Sequence, residues 1–352
     1  FNFSSGDAPR LDTSGQRVSV IVTKPEMPWD EMIEFFNDDQ EHQDGIDQRR
    51  MISPLPRELY RFTYRLSGES RQRFLSLLFD RQHALVGVPL FDDEEPITAA
   101  VSVGASAIPV LNADDGEWRV GGVCLIRASE VKFEVAEVQS VTDTSIGLSG
   151  VTVNSYAAFE AKIIPVRTCY IINNPNGAMS QVELEDFSVD YLVDDAETGV
   201  PDESSTAWNS ATYDGAPLLD ECNLIRGAAA TGYRREITVI DNKTGKVYQG
   251  SQWTRNKRTS PKGFLANTRS RIRDLRKFIR WTGGTQRSFY LPTRKEDMTV
   301  GAAIGIGTAI LDIVNIDYGR FIAARDPWKV IRITFDDGSQ EIKVIDSAAD
   351  QP

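Results

Sequence analysis

The sequence predicts an α+β protein, mostly β, in which two duplicated modules each combine strands, one helix and a small antiparallel β-barrel or sandwich. Three observations predict it. Ser70-Arg71-Gln72-Arg73-Phe74-Leu75 returns as Ser270-Arg271-Ile272-Arg273-Asp274-Leu275, and each copy runs on into an apolar pair, Leu78-Phe79 and Phe278-Ile279. A Pro-containing run follows in both, Val88-Pro89-Leu90 and Tyr290-Leu291-Pro292, and then a small-residue strand, residues 100–104 and 303–307. Finally, short alternating segments separated by glycines fill residues 97–166, the spacing of a small barrel or sandwich.

Taken in order, residues 16–22 alternate and then run apolar as a strand, which Pro25 and Pro28 close. Residues 30–48 are acidic and Gln-rich and read as an exposed face or loop. Residues 59–66 alternate large side chains, the pattern of a half-buried strand. Ser67-Gly68-Glu69-Ser70 breaks it, and Ser70 is the expected N-cap of a helix reaching Arg81, with Phe74, Leu75, Leu77, Leu78 and Phe79 on its buried side. Strands are expected over 101–110, 122–127, 132–141, 145–148 and 161–167. A connector rich in Asp, Ser, Thr and Gly follows, with one strand over 182–193.

Residues 240–247 form a hairpin around Thr244-Gly245-Lys246. The second helix spans 269–281, capped by Asn267-Thr268 and stopped by Gly283-Gly284; its apolar stripe is narrow and its other face basic. Strands over 303–306, 309–314, 319–323, 328–335 and 339–345 repeat the first barrel, the last two joined by the turn Asp336-Asp337-Gly338-Ser339. The expected domains are 1–96, 97–170, 171–232, 233–297 and 298–352.

Hydrophobic residues make up 41% of the 352, enough for packed cores. No stretch approaches the roughly 20 apolar residues of a membrane-spanning helix, and the start lacks a signal peptide's basic and apolar regions, so a soluble protein is expected. Cys124, Cys169 and Cys222 have no CxxC spacing and read as free thiols in apolar positions, as in a reducing cytoplasm.

Charge is unevenly placed. Residues 234–295 hold 17 Lys or Arg against Glu236, Asp241 and Asp274, a balance of +14, so a net charge of −12 leaves −26 on the remainder. Such a segment, with Trp253, Phe264 and Trp281 interleaved, could bind nucleic acid. The reading preferred here is head-to-tail assembly, basic face on acidic face. The expected interface residues are Arg269, Arg271, Arg273, Arg276, Lys277 and Arg280 on the second helix and Asp38, Asp39 and Glu41 in the acidic segment. Nucleic acid is then not expected as a partner.

Catalytic, cofactor and metal motifs are absent, and no enzyme is expected. The only histidines, His42 and His83, lie in different elements, and His83 reads as a loop residue. Asp92-Asp93-Glu94-Glu95 lacks the spacing of a calcium loop and reads as a solvated acidic loop. A carbohydrate- or receptor-binding module, using exposed aromatics such as Trp118, Trp208 or Trp328, is the remaining alternative.

The order of elements resembles modules of tailed-bacteriophage tail-tip proteins. Ser288-Phe289-Tyr290-Leu291-Pro292-Thr293-Arg294 resembles the F[WY]LP-type segment of distal-tail and baseplate-hub proteins of long non-contractile tails, the helix before it matches that segment's usual neighbour, and Val88-Pro89-Leu90-Phe91 stands in the same place in the first copy. The likeness covers residues 57–140 and 233–346. It implies a non-enzymatic virion subunit, assembled in the host cytoplasm, that forms a ring of three or six copies and joins the tail tube to hub, fibres or spike.

Overall fold

The computed structural model describes residues 10–11, 17–41, 47–53, 55–181, 184–194, 212–213, 215–219, 232–241, 243, 245, 247–253, 257–259, 261, 263–293, 298–305, 307, 309–314 and 330–347. His42, Trp208, Cys222, Trp328 and the expected strand 319–323 lie outside them. The chain divides into two units, Phe1–Ala207 with Asn223–Arg287 and Trp208–Cys222 with Ser288–Pro352.

The first unit is built on a sheet. The strands of the unit begin with β1 (Arg10–Leu11), β2 (Arg17–Val20), β3 (Glu26–Glu34), β4 (Asn37–Glu41), β5 (Asp47–Met51) and β6 (Arg57–Leu66), of which β4 and β5 form a two-stranded sheet of their own; helix α1 (Gly68–Arg81) follows. Then come β7 (Val86–Pro89), β8 (Glu95–Pro96), β9 (Ala107–Pro109), β10 (Val123–Arg127), β11 (Phe133–Thr142), β12 (Ser145–Leu148), β13 (Lys162–Ile171), β14 (Gly177–Gln181) and β15 (Leu184–Val193). Hydrogen-bonded neighbours run β1-β2-β7-β13-β10-β11-β12-β9; β15 joins β13 and β6, and β3 lies on the far edge of β6.

Strand β6 follows the predicted alternation: Tyr60, Phe62, Tyr64 and Leu66 are buried while Arg57, Arg61 and Arg65 face out. Its buried side meets Phe187, Val189 and Tyr191 of β15 and Phe74 and Leu78 of α1 in one core. Tyr64 and Phe74 lie 4.9 Å apart and Phe74 and Phe187 5.6 Å, ring contacts that tie helix to sheet. Tyr191 donates its hydroxyl to Tyr64 at 3.1 Å, satisfying a polar group in the middle of this core. Both Cys124 and Cys169 are buried and unbridged.

Strands β8 to β13 surround a second core of Ile97, Ile108, Cys124, Ile126, Val138, Ile146, Tyr156 and Ile163. Their ladder stays open among the described residues, and a closed barrel is not formed; Thr98 N–H reaches Pro109 C=O at 3.0 Å across the gap. The expected strand 101–110 shrinks to β9, because Gly104 takes a positive φ of 86° in a turn.

Several expectations are corrected. The described residues of 30–48 are mainly strand: β3 pairs with β6 and β4 with β5. Cross-strand pairs such as Asp38–Arg50 and Asp39–Arg49 put basic side chains opposite acidic ones, so the charged segment is paired strand with an exposed face at Asp38, Asp39 and Gln40. Ser67 is the N-cap residue of α1, and Ser70 lies inside the helix, donating to Ser67 C=O at 2.7 Å. Phe79 is not on the packed side; it is 96% exposed.

The same unit carries β18 (Gly232–Arg234), β19 (Thr238–Asp241), β20 (Val247–Gly250), β21 (Lys257–Thr259) and helix α2 (Arg269–Thr282), the hairpin numbering following β16 (Thr212–Tyr213) and β17 (Ala216–Pro217) of the second unit. Helix α2 begins and ends as predicted. Thr268 Oγ1 accepts the Arg271 N–H, and Gly283 closes the helix at φ 57°, where a side chain would be strained and would strike Met51.

In the second unit β16 pairs with β17, and β22 (Val330–Thr334) with β23 (Gln340–Val344) around Gly338. Residues 303–305 and 309–314 are not strands, and residue 306 lies outside the described residues; Val300 and Ile313 make an isolated bridge. A second barrel is thus not present among the described residues.

Candidate functional site

Helix α2 was expected to show its arginines to a partner. Two of the six basic interface residues instead point into the chain: Arg276 is 5% exposed and Arg280 3%. The Arg276 guanidinium meets Glu31 of β3 at 2.6 Å, Asp92 at 2.8 Å and Asp93 at 3.3 Å. Arg280, one turn on, donates to Glu58 of β6 at 2.8 Å and to both Glu117 oxygens at 2.9 and 3.1 Å. Arg167 of β13 reaches the same Glu117 at 3.0 Å, and Arg119 stands 3.9 Å from Glu58. At the start of the helix Arg269 pairs with Glu95 and donates to Glu94 C=O at 2.6 Å.

Spacing explains the arrangement. Residues 276 and 280 are four apart and share one face of the helix, so both guanidiniums enter the same layer. Arg is suited to it, since its planar fork can pair with two carboxylates at once and it is more weakly hydrated than Lys.

The electrostatics divide the cluster in two. Around Arg280, burial acts to raise the Glu117 carboxyl, but Arg280, Arg167 and Arg276 overrule it and hold it at about 2; Glu58 is lowered by Arg280, Arg167 and Arg119 against the same burial. Around Arg276 one guanidinium faces three carboxylates, and charge is short. Burial and the neighbouring Asp92 push Asp93 up to about 7, although Arg276 opposes them, and burial outweighs Arg276 at Glu31 as well, which is also raised. Asp93 also accepts the Glu117 N–H at 3.1 Å, which links the two halves. The run Asp92-Asp93-Glu94-Glu95 is therefore not a solvated loop; Asp93 and Glu95 are buried counter-charges of α2.

Arg271, Arg273 and Lys277 are half-buried, whereas Asp38 and Asp39 are exposed on β4, the strand that ends at Glu41. Asn37 donates to Gly283 C=O at 2.8 Å, Thr285 donates to Asp39 at 2.8 Å, and Arg49 donates to Thr285 C=O at 3.1 Å. The basic helix and the acidic segment, read from sequence as opposite ends of a subunit contact, are thus joined within one chain.

A further exposed segment lies elsewhere. The described residues of 232–259 form a hairpin arm in which β18 pairs with β21 at the base and β19 with β20 at the tip. Arg235 bridges the strands between the two ladders, donating to Ser251 at 3.0 Å and to Trp253 C=O at 2.7 Å. Trp253 is 2% exposed, with Arg234 and Lys257 over its ring, so it is not available for stacking on a base. All eight residues of the tip ladder are exposed, among them Val239, Ile240, Val247 and Tyr248. The irregular spacing between the ladders kept the base of this arm from being read in the sequence.

Among the described residues, no group of three His, Cys, Asp or Glu is placed to hold a metal, and no helix is long and apolar enough to cross a membrane. His83 is exposed in the turn after α1. No protein-family model and no curated protein matches the chain.

Proposed function

We propose that the chain is a structural, non-enzymatic subunit of a bacteriophage tail tip or baseplate, which assembles as a ring of three or six copies around the tail axis and links the tail tube to hub, fibres or spike. The observation that carries this reading is the hairpin arm, whose tip exposes large apolar side chains on both of its faces. An isolated two-stranded hairpin is marginal in water, and apolar residues on both faces suit an element completed by a neighbour. The segments resembling tail-tip proteins, 57–140 and 233–346, support the choice of assembly.

In this reading the two helix-centred modules are duplicates that have diverged. Both helices are 14 residues long, both follow an extended Ser or Thr cap residue, and Leu78 and Phe278 hold matching buried positions. The strand-rich segment 97–170 serves as the small barrel-like module beside the first helix. The protein would be found in the virion tail, after assembly in the bacterial cytoplasm.

The test is to mix the purified chain with isolated tail tubes and hub protein and image the products by negative stain. A ring at one end of the tube is expected. Indifference to every tail protein, together with salt-sensitive binding to nucleic acid or binding to a glycan, would replace the reading.

A further inference from the structure

We infer that the tip of the hairpin arm docks on the β3 edge of a second copy of this chain, making a head-to-tail contact; this rests on the assembly reading above. Two features of the arm set the chemistry of its partner. Within residues 232–259 there are seven basic residues and two acidic ones, so the arm carries +5, and the net −12 of the chain leaves −17 on everything else. The partner surface must therefore offer apolar contact together with negative charge.

The first unit has such a surface. Strand β3 pairs with β6 on one side only, which leaves its other edge without a strand among the described residues. Along it Met27 is 73% and Met32 54% exposed, beside the exposed carboxylates Glu26 and Asp30. Pro28 and the irregular register between Glu26 and Asp30 prevent a continuous ladder, so the contact is through side chains and not through an added strand. Ile240 and Tyr248, paired across the tip, meet the two methionines, and Lys243 in the exposed turn faces Asp30.

The geometry permits the reach. Ten residues from 232 to 241 span roughly 30 Å at about 3.3 Å per residue. The contact is small, since stable interfaces bury about 1,200–2,000 Å² and one hairpin tip supplies the low end of that range. Each contact alone is weak, and closing a ring makes the assembly concentration-dependent and cooperative. An arm and an acceptor on different surfaces form a heterologous contact, which closes a ring when the rotation permits.

Two variants test this by sedimentation velocity over a range of concentrations. Ile240→Asp/Tyr248→Asp removes the arm's apolar contact at residues already in water, and Asp30→Lys/Met32→Asp spoils the acceptor edge. Each variant alone should need at least about tenfold more protein to assemble, a change of about 1.4 kcal/mol. Mixed one to one they should form dimers that grow no further, because each supplies the half the other lacks. Wild-type assembly that both variants reproduce would overturn the arm contact and leave the assembly reading standing. A wild-type chain that stays monomeric even with tail proteins would overturn both.

Discussion

Helices α1 and α2 have the same length and a shared sequence pattern, yet they are held by opposite forces. Aligned through Leu78 and Phe278, both of which are buried, Ser76 stands against Arg276 and Asp80 against Arg280. In α1 those two positions face water, and Phe74 and Leu78 enter an aromatic core. In α2 they are buried along with Phe278 and Thr282, and the helix is seated by guanidiniums on five carboxylates from β3, β6 and the segments holding residues 92–93 and 117. A helix can thus keep its frame while its inward face changes from apolar to ionic, provided that the surrounding chain supplies the counter-charges. Burying ions costs desolvation, so the second arrangement is stable only while every partner is present.

The largest effect should separate the two helices directly. Arg280→Met leaves Glu58 and Glu117 buried without their main partner and should cost about 3–5 kcal/mol in urea unfolding at neutral pH. The aligned Asp80→Met in α1 should stay within about 0.5 kcal/mol, as at an ordinary surface site. Phe74→Ala should cost about 3–5 kcal/mol through the cavity it leaves. That loss should be the same at pH 5 and pH 8, whereas losses around α2 should not.

The pH dependence has a definite sign. Asp93 sits at about 7 in the folded chain against an ordinary 3.8, so the native state holds the extra proton between these values, and this group's contribution to stability falls as pH rises from about 4 to about 7. Glu117, held at about 2 against 4.5, contributes above pH 4.5, and that contribution is lost as pH falls toward 2. Asp93→Asn keeps an acceptor for the Glu117 N–H but cannot ionise. It should remove the Asp93 share of the decline between about pH 4 and 7 in a series of denaturant titrations, leaving the share that the raised Glu31 contributes and the acid limb unchanged.

The caps give the smallest contrast. Thr268 accepts the Arg271 N–H at 3.3 Å, and Thr268→Ala should cost about 1 kcal/mol. Ser67 makes no side-chain cap bond on α1, and Ser67→Ala should change thermal stability by less than about 0.5 kcal/mol.

These differences also explain what the sequence made legible. Alternation exposed β6 and β15, and residues 145–148 were read to the residue, because a strand with one buried face shows period two. Thr268 and Gly283 marked the ends of α2 through local backbone chemistry. The inward face of α2 was not legible, because arginine at 276 and 280 obeys the pattern of a solvated surface until Glu31, Asp93 and Glu117 are known to lie opposite. Those acids are more than 150 residues away in sequence. The acidic hairpin β4–β5 was missed for the same reason: its strands are polar on both sides and leave no hydrophobic period to read. Phe79 misled in the other direction, an apolar residue beside buried Leu78 that faces water.

An exposed arm carrying +5 on a chain whose remainder carries −17 makes self-assembly the property to measure. Light scattering behind size exclusion, over a hundredfold range of concentration, tests it most directly. A species of three or six chain masses that grows with concentration is the result expected. A single chain mass at every concentration, unchanged by added tail proteins, would contradict it.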